Sequence, residues 1–357
     1  FGGMSRMKRT GIWCITQSVE FRSVMIVIEK IPTLTISRED WLRERRNSIG
    51  GSDVGAILGL NKYRSPCAVW AEKTGRLPEP EDNEAMRQGR DLEAYVAGRF
   101  MEKSGKRVER CNYLLRNTDA PYLHANIDRR VIGEKSGLEC KTASALNLRA
   151  YKGGNFPESY YAQCVSYLAV TSWKRWYLAA LILNKAFYIY QITTIENDDV
   201  PEWCESSVYV GPEELTALKE CASNFWENYV VADIPPPVDG SESTSQTISA
   251  MYGKSFGSTV ELFARENILL EWAALHQQAR EIQTRQRQIK QILMNDLGQA
   301  ETGICGDWKI VWKEQKRCVV SIEKLHRVYP RINIGKVATC KTFRRFRIQK
   351  GALDGTD

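Results

Sequence analysis

Two short runs of this sequence carry acids and an amine at spacings suited to phosphodiester chemistry. His124-Ala-Asn-Ile-Asp128-Arg supplies one carboxylate, and Gly137-Leu-Glu139-Cys-Lys141-Thr142 supplies a second with a lysine two residues on. Side chains on a strand alternate between faces, so Glu139 and Lys141 point one way and Leu138 and Cys140 the other. Gly133-Glu-Lys-Ser-Gly137 reads as a turn that folds Asp128 back towards Glu139. Two converging carboxylates can hold Mg²⁺, a hard ion that takes oxygen ligands and keeps several waters, and Mn²⁺ is the expected substitute. Such an ion aligns a nucleophilic water, relieves charge on the phosphate and helps the leaving oxygen depart. Asp128 and Glu139 are the expected ligand pair, with the Cys140 backbone carbonyl as a further ligand. Lys141 is expected beside the attacking water, orienting it and favouring hydroxide. Glu93, in Gly89-Arg-Asp-Leu-Glu93, would complete a two-ion site. Charged residues on a strand also face solvent in many proteins, so the triplet alone leaves a nuclease and an ordinary exposed strand both open.

Those groups must be held by elements on both sides of the runs. Ser37-Arg-Glu-Asp-Trp41 predicts a helix with Ser37 as N-cap. Gly50-Gly51-Ser52-Asp53 opens a short helix through Leu58, and Glu84 to Gly105 is a third. Strands are expected near 107–116, 122–132 and 137–142, followed by a helix from Glu158 to about Thr171 with Pro157 near its start. Two more strands fit Arg175–Asn184 and Lys185–Ile192, with Asn184-Lys185 at the turn, and Trp173, Trp176 and Tyr177 read as core. Helix, strands, helix, strands describes an α/β core with a mixed central sheet flanked by helices.

Four stretches follow from this pattern. Residues 1–36 form an N-terminal extension with a candidate strand over Val24–Ile31, and 37–234 form the core. A Pro- and Ser-rich linker covers 235–258. Residues 259–357 hold a long helix, roughly Val260 to Leu297, and a small β-rich tail with strands near 304–312, 317–322 and 342–348. On the long helix Ile268, Trp272, Leu275, Ala279, Ile282, Gln286, Ile289 and Leu293 recur at alternating spacings of four and three. This coiled-coil-like seam, interrupted at Gln286, suits packing on the chain's own body or an oligomer contact. Lys336, Lys341, Arg344, Arg345, Arg347 and Lys350, interleaved with Phe343 and Phe346, suit either a DNA-gripping surface or an amphipathic edge strand.

Composition narrows the class. Lys+Arg 50 against Asp+Glu 43 gives +7 and suits a polyanionic partner. Ten cysteines without a Cys-x-x-Cys pair, and only three histidines, argue against zinc, iron–sulfur or disulfide frameworks. Val24-Met-Ile-Val-Ile28 is too short to span a bilayer, so the expectation is a soluble, cytoplasmic protein with no membrane partner.

Trp41-Leu-Arg-Glu-Arg45 with Ile49-Gly-Gly-Ser52-Asp53, Gly89-Arg-Asp-Leu-Glu93, Ala125-Asn-Ile-Asp128, Leu138-Glu139-Cys-Lys141 and Tyr160-Tyr161-Ala-Gln163 occur in one order. That series resembles the YqaJ-type phage recombinases, a branch of the lambda-exonuclease-like PD-(D/E)xK nucleases, over roughly residues 37–192. The resemblance implies a restriction-endonuclease-like fold and a Mg²⁺-dependent 5′-to-3′ exonuclease that resects double-stranded DNA ends. It implies work with a single-strand annealing protein in phage-type homologous recombination, in a bacterial host cell, and a homo-oligomer such as a trimer ring. By matching positions, Glu93, Asp128, Glu139 and Lys141 take metal and catalytic roles, and Gln163 lies beside the lysine. Arg45 and Ser52 take the terminal 5′-phosphate; their plainer alternatives are a solvated helix face and an N-cap. Asp128-Arg129-Arg130 departs from the Asp-Gly common in the family, and those arginines would serve DNA or reshape the turn. His124 is assigned nothing. A restriction-type or structure-specific endonuclease uses the same chemistry, and a DNA-binding protein without cleavage is the competitor from another class. An iron–sulfur variant of this core needs four clustered cysteines that the sequence lacks.

Overall fold

Along Arg175–Ile182, Trp176, Leu178, Ala180 and Ile182 are buried in one apolar cluster while Tyr177 and Ala179 are buried in another. A strand that buries both faces must lie inside a sheet with layers on each side. The computed structural model describes residues 28–77, 83–315 and 322–330, in two compact units that divide between Tyr252 and Gly253.

In chain order the first unit runs β1 (Ile28–Pro32), α1 (Arg38–Arg46), β2 (Ile49–Gly50), α2 (Gly51–Ile57), α3 (Pro66–Lys73), α4 (Glu84–Ser104), β3 (Val108–Arg110), β4 (Tyr113–Asn117), β5 (Ala120–Asn126), β6 (Arg129–Val131), β7 (Ser136–Ala143), α5 (Glu158–Thr171), β8 (Arg175–Ile182), β9 (Ala186–Thr193), β10 (Ser206–Tyr209), α6 (Pro212–Phe225) and α7 (Glu242–Met251). The central sheet has the order β10-β9-β8-β7-β6-β3, with β7/β8 and β9/β10 parallel and the other neighbours antiparallel. It is the expected mixed α/β arrangement. One face packs on α5 with α2, α3 and α6, the other on α4 through Val96, Ala97 and Phe100. A second sheet, β1-β4-β5-β2, has β1 at an edge; of the candidate strand in the N-terminal extension, Ile28–Ile31 falls in β1 and the rest lies outside the described residues.

Local signals set several boundaries. Ser37 caps α1 by accepting from the Asp40 N–H, Asn83 caps α4 by accepting from Met86, and Gly105 closes α4 with φ +71°. α5 spans Glu158–Thr171, as the sequence predicts. Asn184, at φ +59°, makes the β8–β9 turn.

Other expectations need correction. α3 is an addition to the expected elements: Ser65 caps it by accepting from the Ala68 N–H, Pro66 opens it, and Cys67 to Ala71 are all buried, which erases any amphipathic period. The Pro-rich stretch at 235–258 is partly structured. Ser241 caps α7, Ser243 accepts from the Ser65 N–H at 3.0 Å, and Thr244 and Thr247 are buried, so this segment packs on α3.

Within the second unit α8 (Glu266–Leu297) buries none of its residues, and Ile268, Trp272, Leu275, Ile282, Ile289 and Leu293 of the seam are exposed. The strand expected near 304–312 is a hairpin, β11 (Thr302–Cys305) and β12 (Trp308–Val311), because Gly306 at φ +55° turns the chain. Ile322 begins a short helix, α9 (Ile322–Val328). The basic run from Lys336 to Lys350, the strand expected at 342–348 and most of that at 317–322 lie outside the described residues.

Candidate active site

The hairpin joining β6 to β7 pairs Arg129 with Leu138 and Arg130 with Gly137, around a turn containing Gly133 at φ +84°. Continuing that register puts Asp128 opposite Glu139. β6 begins at Arg129, so beyond Leu138 this edge of β7 has no strand partner, and the Asp128 carboxylate takes the place of one. Its Oδ2 accepts the Cys140 N–H at 2.8 Å. A strand residue directs its N–H and C=O to the same edge, so the Cys140 carbonyl also points towards Asp128 rather than into the β7–β8 ladder.

Leu138 is buried among the α4-side residues, so Glu139 and Lys141 face α5. Lys141 Nζ lies 2.5 Å from Glu139 Oε1 and over the Tyr160 ring at 4.8 Å. Gln163 Nε2 donates to the same Oε1 at 2.7 Å and to Tyr167 Oη at 2.8 Å, while Tyr167 Oη donates to the Asn126 carbonyl at 3.1 Å. Asp128, Glu139 and Lys141 therefore form one group, as the spacing predicts, and Gln163 joins it, as the family resemblance implies. Glu93 comes to its edge from α4. Its carboxylate is ion-paired with Arg129, which also donates to the Asp128 carbonyl at 2.6 Å. Arg129 is thus a structural partner of the acids, and Arg130 pairs with Glu109 on the surface.

Acid outweighs base here. Burial first, then Glu139 and Glu93, pushes the Asp128 carboxyl well above its ordinary range despite Lys141 and the Cys140 N–H. Burial opposes the Lys141 ammonium, yet Glu139 and Asp128 outweigh it and raise its pKa, so the lysine stays a cation. Glu139 Oε2 is buried without a hydrogen-bond partner. A buried lone pair and a carboxyl driven towards protonation are the signature of a site short of positive charge. A hard divalent ion fits Asp128, Glu139 Oε2 and the Cys140 carbonyl, with water or phosphate oxygens filling the remaining places. Among the described residues no three His, Cys, Asp or Glu side chains converge as a metal cage, and the Glu93 carboxylate is ion-paired with Arg129.

A second charged group forms where α1, α2 and α3 meet. A pocket of about 320 Å³ is lined by Leu42, Arg45, Arg46, Asp53, Arg64, Glu72, Lys73 and Leu77. Arg45 stacks on Trp41 at 4.6 Å. Asp53 is buried and accepts from Gly50 N–H at 2.8 Å, from Lys73 at 2.7 Å and from Arg64 at 2.5 Å. Burial opposes this carboxylate, but Lys73 and Arg64 outweigh it and hold its pKa well below the usual range. Ser52 is exposed on α2 and does not line the pocket; the N-cap is Gly50, with Asp53 as the capping carboxylate.

The Gly50-Gly51 pair has a steric cause. A Cβ on Gly50 would stand 2.8 Å from His124 Nε2, and one on Gly51 would stand 2.6 Å from the Tyr167 ring. His124 itself is buried, shares a hydrogen bond with Ser48 Oγ at 2.8 Å, and is kept neutral by burial and by Lys73. It is a structural histidine. The sequence singles out Asp128, Glu139, Lys141, Gln163 and Arg45, and Arg129 as a DNA contact or turn residue rather than the partner of Glu93, but not Arg64 or Lys73. Only Asp53, three residues after the helix-opening Gly50, carried a local signal as a capping carboxylate.

Residues 40–174 match the YqaJ-like viral recombinase domain. The protein from Bacillus subtilis (strain 168) described as "Uncharacterized protein YqaJ" is 33% identical over 321 residues, covering 88% of this chain and 95% of that relative. Among solved structures, LHK-Exo in complex with dAMP is 17% identical with a TM-score of 0.43, covering 55% of this chain and 93% of its own. The alkaline exonuclease LHK-Exo from Laribacter hongkongensis gives 16% and 0.41, again covering 55% and 93%. A phage-related exonuclease from Haemophilus somnus 129PT gives 10% and 0.36, covering 52% and 96%. No helix of the described residues is long and apolar enough to cross a membrane.

Proposed function

The chain belongs to the YqaJ-like viral recombinase family, and on that premise we propose that it is a Mg²⁺-dependent deoxyribonuclease acting on double-stranded DNA ends. The observation that carries this reading is the acid excess around Asp128 and Glu139, with one buried carboxylate oxygen lacking a partner. Asp128, Glu139 and the Cys140 carbonyl would hold the ion, with Glu93 joining if Arg129 releases it. Mn²⁺, with the same preference for oxygen, would substitute. The bound ion supplies charge relief on the phosphate and a more acidic water. Lys141, held as an ammonium, would orient the attacking water and favour hydroxide while contributing a fixed positive charge beside the attacked phosphate. Gln163 fixes the rotamer of Glu139 through its 2.7 Å hydrogen bond, and Tyr167 fixes Gln163.

Arg45 and Ser52 are assigned the terminal 5′-phosphate. The guanidinium offers planar donors to phosphate oxygens, and the pocket around Arg45 holds four cations against two carboxylates. Preference for such an end makes the activity a 5′-to-3′ exonuclease, resecting ends for recombination with a single-strand annealing protein. A homo-oligomer, a trimer ring enclosing DNA, is the accompanying assembly.

End-labelled digestion tests the reading. Linear duplex with Mg²⁺ should be degraded from the 5′ end, faster with a 5′-phosphate, and covalently closed circular duplex should survive. Cutting of the closed circle would replace this with a restriction-type endonuclease. Binding to DNA without cleavage under Mg²⁺ or Mn²⁺ would remove the enzyme altogether.

A further inference from the structure

The two residues assigned to the terminal phosphate sit on different helices, and a buried lysine joins those helices. Lys73, the last residue of α3, places Nζ 2.7 Å from the Arg45 carbonyl and 2.7 Å from Asp53 Oδ2. Arg45 lies in the last turn of α1, where carbonyls have no partner within the helix. Asp53 lies in the first turn of α2, where its carboxylate accepts from the Gly50 N–H. One ammonium therefore fastens the end of one helix to the start of the next. The Lys73 side chain is only 5% exposed and that of Asp53 only 2%, so the bond is shielded from water and salt. Arg64 holds the other Asp53 oxygen at 2.5 Å and reaches Glu72 at 2.5 Å, which fixes the carboxylate from the opposite side.

From this geometry we infer that Lys73, through Asp53, is a positioning residue for DNA-end recognition, setting the spacing between the α1 turn that carries Arg45 and the α2 turn that carries Ser52. The inference rests on the phosphate reading of those two residues. Lys73 itself is occupied by its two protein partners and does not touch the phosphate. Its work is preorganisation: a guanidinium already stacked on Trp41 is delivered to a fixed place, and misplacement of such a group by an ångström weakens its use by orders of magnitude.

The test compares wild type with Lys73→Met and, separately, Asp53→Asn in the full chain. KM and kcat are measured on linear duplexes that differ only in carrying a 5′-phosphate or a 5′-hydroxyl. Wild type should prefer the phosphate. Each variant should lose that preference by on the order of tenfold to a hundredfold, through KM on phosphorylated ends, with kcat at saturation much less affected. A structural defect alone would lower activity on both ends together and leave the ratio intact. A variant that is too unstable to assay is replaced by the double variant, which removes both buried charges; loss of the ratio there carries the inference and its retention overturns it. If wild type shows a preference that Lys73→Met and Asp53→Asn both retain, the positioning role is overturned while the phosphate reading stands. If wild type shows no preference, the phosphate reading falls and takes the inference with it.

Discussion

The first unit contains two buried ionic groups made from the same kinds of side chain, and their balances are opposite. Around β7, Asp128 and Glu139 meet one lysine, and the Asp128 carboxyl is driven towards protonation by burial and by Glu139. Between α1 and α3, Asp53 and Glu72 meet Lys73 and Arg64, with Arg45 and Arg46 lining the same pocket, and the Asp53 carboxyl is held ionised at any ordinary pH. Burying a charge is costly unless a partner compensates, so each imbalance specifies the ligand that would relieve it. The acid-rich group lacks a cation; the cation-rich pocket has room for an anion. A nuclease working at DNA ends needs both, a metal at the scissile phosphate and a receptor for the terminal one. α5 connects them. Its Gln163 holds Glu139, and Tyr167 on the same helix lies against Gly51 at the start of α2.

The largest effect should come from breaking the cation-rich half of this pair. Asp53→Asn leaves Lys73 buried without its anion and Arg64 with Glu72 alone, and should destabilise the chain by about 3–5 kcal/mol in urea unfolding. Asp53→Asn with Lys73→Met should cost clearly less than the sum of the two single changes, because the double variant leaves no unpaired ammonium. Strict additivity would mean that the 2.7 Å contact does not couple the two residues. The sign with pH follows from the lowered pKa: the stabilisation is complete above the usual carboxylate range and is lost only as pH falls through the depressed value.

Next comes the loss of charge in the acid-rich half. Lys141→Ala should lower single-turnover cleavage on the order of 10²–10³-fold, as removal of a preorganised charge from a reacting centre does. DNA binding measured with Ca²⁺ in place of Mg²⁺ should persist, since the larger ion tolerates a looser geometry. Undiminished cleavage by this variant would remove the lysine from the mechanism.

How much of this was legible depends on range. The period of two along β7 foretold that Glu139 and Lys141 share a face, and the Gly133–Gly137 turn foretold that Asp128 folds back to them. The capping pattern of Ser37, the start of α5 after Pro157 and the end of α4 at Gly105 were equally local. Lys73 reaches Asp53 from the far end of another helix, and Arg129 meets Glu93 from 36 positions away. No spacing rule joins such pairs, because only the packing of separate elements brings them together. Gly50-Gly51 lies between these cases. The motif was visible, but its cause, the nearness of His124 and Tyr167, belongs to the tertiary structure.

A smaller effect tests the acid excess directly. A carboxyl whose pKa is raised on folding costs stability as pH rises from its ordinary range, near 3.8, to the raised value. Asp128→Asn removes that cost, so at neutral pH without divalent ion the variant should melt higher than wild type. The gain should be about 1.4 kcal/mol for each pH unit of the shift, reduced by the loss of the Cys140 hydrogen bond to a charged acceptor. Mg²⁺ should then raise the melting temperature of wild type and leave Asp128→Asn nearly unmoved. A wild type indifferent to Mg²⁺ and no less stable than the variant would mean that Asp128 and Glu139 are not short of a cation.

The smallest effect lies at the border of the cation-rich group. His124 is buried and held neutral, its pKa well below the ordinary 6.5 through burial and the nearby Lys73. The unfolded chain takes up a proton there that the folded chain refuses. Stability should therefore fall as pH drops below about 6.5, by up to about 1.4 kcal/mol per pH unit from this residue. His124→Gln keeps a polar group for Ser48 and should flatten that slope between pH 6.5 and 5.5 while lowering stability at neutral pH. An unchanged slope would place the acid sensitivity elsewhere and weaken the claim that Lys73 carries its charge beside this ring. A slope steeper than wild type would reverse the sign and show that the imidazole is protonated in the folded chain, which a pocket already rich in cations should forbid.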